Sequence, residues 1–108
     1  MSIPERDWKQ LRALHESALQ RFCARILDEC RSVVGQTTAT PHERFLDLFR
    51  LLQDRNEDVA RAFDDMRRSR ALDRLLAMRS LGVITDDDMA KFSDVTRSSV
   101  ELVEQASR

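Results

Sequence analysis

The side chains in this 108-residue chain that could carry chemistry are two histidines, two cysteines, a run of three aspartates and a group of arginines. His42-Glu43 opens like a zinc-protease motif, which needs a second histidine one helical turn on, and position 46 is a leucine. The motif fails. His15 lies near the middle of a broad apolar helix face. Its only candidate co-ligand on that helix, Cys23, is about 12 Å away along the axis, too far to share an ion. His15 therefore reads as a core or interface residue.

Cys23 and Cys30 fall in the same expected helix, with Cα atoms about 10 Å apart, whereas a disulfide needs about 7 Å or less. They cannot bridge each other and read as small hydrophobes. Asp86, Asp87 and Asp88 point in different directions on a helix and lack the alternate spacing of a calcium loop. A first helical turn favours such carboxylates by about 0.3–1 kcal/mol each, through the helix dipole. Arg67, Arg68, Arg70, Arg74 and Arg79 form a local basic excess that could hold phosphates. Asp64, Asp65 and Asp73 lie among them, and no aromatic residue is interleaved for stacking. No nucleophile elbow, phosphate loop or dinucleotide fingerprint occurs. No metal, cofactor or catalytic group is expected; an enzyme with a site assembled across helices would rest on His15 alone.

These residues have to be positioned by helices. Only two glycines and two prolines are present, tyrosine is absent, 42% of the chain is apolar and 34% charged. That balance excludes disorder and argues against sheet. The net charge of −1 gives no global attraction to nucleic acid or anionic lipid. No stretch is long and apolar enough to span a membrane. Met1 to Asp7 has no apolar signal core, so a cytoplasmic address is expected.

A first helix is expected from Trp8 to Val34, with Asp7 as N-cap and Gly35 in a left-handed C-terminal position. Its apolar residues cover more than half the circumference. At about 40 Å it outspans a small domain of about 30 Å. Either it breaks, or it is a long central helix wrapped by the others, or part of it overhangs the core and needs a partner. Thr40-Pro41-His42-Glu43 opens a second helix with a capping box, and Phe45, Leu48, Phe49 and Leu52 share one face.

Residues 53–58 would look the same on paper as a break or as a continuous helix. A break is favoured, with Asn56 capping a new helix over Val59, Phe63 and Met66. Ser69 is expected to cap the next helix, bearing Leu72, Leu75 and Leu76. Gly82 stops it, Thr85 caps a short helix with Met89 and Phe92 inward, and Ser93 caps a last one with Val95, Val100 and Val103. One domain over 1–108 follows, with an arm at 1–6 and a weakly packed or frayed tail at 94–108.

The expected fold is all-α: a small irregular bundle of four to six helices. The expected function is non-catalytic protein–protein interaction, first of all as a homodimer. Trp8, Leu11, His15, Leu19, Phe22 and Ile26 are the expected helix-to-helix interface, within the fold or between chains. The alternative is a small nucleic-acid-associated regulator using Arg67, Arg68, Arg70 and Arg74. Against it, the helix after Gly82 opens on three carboxylates, which repel a phosphate backbone.

Overall fold

Apolar residues recurring every three to four positions form helices throughout the described residues, 2–107, of the computed structural model. Five α-helices follow one another: α1 (Glu5–Val34), α2 (Pro41–Phe63), α3 (Ala71–Ser80), α4 (Asp86–Ala90) and α5 (Asp94–Ala106). A 3-10 turn at Arg68–Arg70 precedes α3. The fold is a small all-helical bundle. Met1 of the expected arm and Arg108 of the expected tail lie outside the described residues.

The local signals perform as capping chemistry requires. Thr40 Oγ1 accepts from the Glu43 amide at 3.1 Å while Glu43 accepts from the Thr40 amide, a reciprocal box with Pro41 in the first turn. Thr85 and Asp88 repeat the arrangement at α4, and the Ser93 hydroxyl caps α5. Gly82 has φ +74°, the left-handed geometry expected between α3 and α4.

Other expectations are corrected. α1 begins at Glu5, after Pro4, and has no side-chain cap. Asp7 is not its N-cap; it sits inside the first turn, fully buried. Its carboxylate accepts from the Ser93 amide at 2.9 Å, the Ser93 hydroxyl at 2.5 Å and the Thr96 hydroxyl at 2.6 Å. Gly35 ends α1 in right-handed geometry, φ −81°, with its amide on the Arg31 carbonyl. α2 runs unbroken through 53–58. There Arg55 bonds both Asp58 on its own helix and Glu29 on α1, so the segment is held helical from two sides. Ser69 lies within the 3-10 turn, and α3 starts at Ala71 without a side-chain cap.

The core sits at one end. It is built from Leu11, Leu14, Ala18 and Phe22 of α1, Ala62 and Phe63 closing α2, and Leu72, Leu75, Met78, Val83, Ile84, Met89, Phe92 and Val100. On α5, Thr96 and Val100 are buried while Val95, Leu102 and Val103 are exposed. From position 23 to position 61 no residue is buried. The molecule is accordingly elongated, 51 × 28 × 23 Å, with a radius of gyration of 16.6 Å. A spherical domain of about 100 residues has about 13 Å.

Two substitutions test this framework. Gly82→Ala forces a side chain into left-handed backbone, with its Cβ 3.2 Å from Arg25 Nη1, and is expected to cost about 1 kcal/mol in urea unfolding. At Asp7, burial pushes the carboxyl upward, but hydrogen bonds from Ser93 and Thr96 and the Arg6 charge outweigh it and leave it below its ordinary 3.8. Its contribution is therefore complete above about pH 4 and fades as pH falls through the lower folded value. Asp7→Asn is expected to lower stability at neutral pH by about 1.5–3 kcal/mol and to flatten the acid limb of a pH–stability series.

Candidate functional site

Beyond Ile26 of α1 and before Val59 of α2 the two helices run on together as a hairpin outside the core. Two arginines hold it. Arg44 Nη1 donates to the Val34 carbonyl at 2.8 Å, satisfying an end of α1. Arg55 clasps both Glu29 oxygens through Nε and Nη2, at 3.0 and 2.9 Å. Bonding to Arg55 holds the Glu29 carboxyl below its usual range, and the same contact raises the Arg55 guanidinium.

One face of this hairpin is bare. Leu27 is 57% exposed, Val34 54%, Phe45 63%, Phe49 53% and Leu52 46%. Phe45, Phe49 and Leu52 follow one another at four and three residues along α2, so they share a side. Leu27 and Val34 are likewise two turns apart on α1. A groove of about 280 Å³ joins the two stripes, lined by Val34, Pro41, Arg44, Phe45 and Leu48. Cys23 and Cys30 are free thiols, half-buried on the same α1 stripe.

The expected interface residues on α1 lie mostly nearer the core. Leu11 and Phe22 are buried in it, and Trp8, Leu19 and Ile26 pack against it while remaining partly exposed. His15 Nε2 stands 2.9 Å from the Phe63 carbonyl, and its ring meets the Phe63 ring edge-on at 5.5 Å. Leu11, His15 and Phe22 join α1 to the other helices of its own chain, whereas Trp8, Leu19 and Ile26 keep part of their surface in water. Sequence reasoning put Phe45, Phe49 and Leu52 on one face without saying what covers it; the structure leaves that face in water. The length of α1 was the usable signal, because an overhanging helix with one neighbour is covered on one side only.

The arginines are engaged by acceptors of this chain. Arg67 and Arg70 both pair with Asp65, at 2.6 and 3.1 Å. Arg68 reaches Glu5 and the Ile3 carbonyl, Arg74 the Asp64 carbonyl and Arg79 Glu104. Asp88 serves the α4 cap and an ion pair with Arg21 at 2.8 Å. Burial raises the Asp88 carboxyl, but the Thr85 amide and Arg21 more than offset this and hold it below its usual value. Among the described residues no group of three or more histidine, cysteine, aspartate or glutamate side chains converges as a metal site would, and no helix is long and apolar enough to cross a membrane. No protein-family model matches the chain, and no match was found among curated proteins or solved structures.

The contrast between core and bare face is measurable. Phe63→Ala is expected to lower unfolding free energy by about 3–5 kcal/mol. Phe49→Ser, at a dilution where chains do not meet, is expected to change it by less than about 0.5 kcal/mol. Equal losses would mean that Phe49 is covered by its own chain.

Proposed function

We propose that this protein is a non-catalytic interaction module that associates with a second copy of itself through the bare face of the α1–α2 hairpin. Five large apolar side chains, about half to two-thirds exposed on one side of two antiparallel rods, carry the reading. Two such hairpins laid face to face make a four-helix bundle, the arrangement in which an apolar helix pair is closed on all sides. The contact is isologous, each copy offering the same patch.

The energetics are of the right order. Phe45 and Phe49 leave roughly 200 Å² in water. Burying that area on both copies is worth about 10 kcal/mol at about 25 cal/mol per Å². Association costs on the order of 4–15 kcal/mol, and Leu27, Val34 and Leu52 add to the favourable side. A reversible dimer at micromolar concentration is the expected balance. The reading includes a cytoplasmic address, in keeping with two free thiols. The nucleic-acid alternative draws less support, since each of its arginines already has an acceptor in the chain.

Sedimentation equilibrium over a dilution series is the test. A monomer–dimer equilibrium is expected for the parent chain. Phe45→Glu with Phe49→Glu is expected to weaken it at least tenfold, with helix content unchanged by circular dichroism. A parent that stays monomeric into the high micromolar range overturns the proposal.

A further inference from the structure

The α1 stripe that reaches the bare face reads Leu19, Cys23, Ile26, Leu27, Cys30, Val34. Its spacing is the same in both directions. Reflected about the point between Ile26 and Leu27, Leu19 falls on Val34, Cys23 on Cys30 and Ile26 on Leu27. None of the six is fully buried by its own chain. Arg21 and Arg25, on another side of α1, hold the α3–α4 turn through the Val83, Leu81 and Gly82 carbonyls, so that turn does not cover the stripe.

Such a reversible pattern is what a two-fold contact between antiparallel helices demands, because residue i meets j while j meets i. A parallel α1 pair about the same axis would instead set each residue on itself. The position of the core agrees with the antiparallel choice. With all buried residues at one end of the molecule, antiparallel hairpins overlap while their two cores stand clear at opposite ends of the bundle.

We propose that the dimer, whose existence rests on the reading above, pairs α1 antiparallel about Ile26 and Leu27, and that Cys23 and Cys30 of the partner subunit form a redox-controlled lock across it. Two-fold symmetry supplies the pair twice. Packed helices stand about 8–10 Å apart. With Cα atoms on cylinders of radius about 2.3 Å, facing positions fall inside the roughly 7 Å a disulfide tolerates. Within one chain the same two thiols are about 10 Å apart along the helix, so a disulfide between these positions has to join two copies.

The oxidant is a low-molecular-weight disulfide. The Cys30 thiolate attacks it, forming a mixed disulfide and releasing one small thiolate. The Cys23 thiolate of the partner subunit then attacks the Cys30 sulfur, forming the inter-chain bond and releasing the second. Two cysteine thiols are oxidised with loss of two protons, and the small disulfide is reduced to two thiols. Neither cysteine is fully buried by its own chain, so such a reagent can approach the separated chains. Oxidation thereby converts a concentration-dependent dimer into a permanent one, and reduction releases it.

The test uses the whole chain incubated with oxidised glutathione and run on a non-reducing gel. The parent is expected to give a dimer band that dithiothreitol abolishes. Cys23→Ser and Cys30→Ser are each expected to stay single-chain alone and to give a cross-linked dimer when mixed in equal amounts. A mixture that fails to cross-link, or a single variant that cross-links alone as well as the parent, overturns the antiparallel register. Sedimentation of the reduced parent separates the two proposals. A dimer there without cross-linking on oxidation sinks the lock alone; a monomer there sinks self-association and the lock with it.

Discussion

Thirty residues of continuous α-helix measure about 45 Å, which a chain of this length cannot surround. Everything else in the molecule follows from how that excess is handled. The first two-thirds of α1 are packed by α3, α4, α5 and the end of α2, and the core stops at Phe22. The remaining third is given a single companion, the start of α2. One neighbour shields one side of a helix. The other sides stay in water, and on one of them the residues are leucine, valine and phenylalanine rather than charge.

Polar contacts fix which end of α1 the core occupies. Asp7 takes three hydrogen bonds from the start of α5, tying the two ends of the chain together inside the fold. Arg21 and Arg25 hold the α3–α4 turn through backbone carbonyls, and Arg21 also pairs with the Asp88 of the α4 cap. A buried carboxylate is costly unless its oxygens are satisfied, so the docking of α5 is specific as well as favourable. With these clamps at one end, the hairpin is left projecting from the other.

The side chains with chemical potential are largely consumed by structure. The aspartates cap and pair, the arginines meet carboxylates or helix-end carbonyls, and His15 bonds a backbone oxygen at the close of α2. What remains uncommitted is apolar area, most of it on the hairpin with a smaller share on α5, and two thiols on the hairpin. Apolar area of that kind is used by covering it. The proposed association would cover it with a second copy and no new chemistry, because the α1 stripe is its own complement when reversed.

Helical class, the caps at Thr40, Thr85 and Ser93, and the left-handed turn at Gly82 were legible in the linear order of residues. Each rests on hydrogen bonds or backbone preferences spanning a few positions, so neighbours in sequence carry all the information. The excess length of α1 was legible for the same reason, being a sum of local rises. Tertiary structure alone decided the rest. Asp7 looked like a cap because its partners, Ser93 and Thr96, are more than eighty positions away. Residues 53–58 stay helical because Arg55 finds Glu29 on another helix. Phe63 and Phe49 occupy the same kind of helical position, yet one is core and the other bare, because burial depends on what the remainder of the chain brings alongside and not on the residue itself.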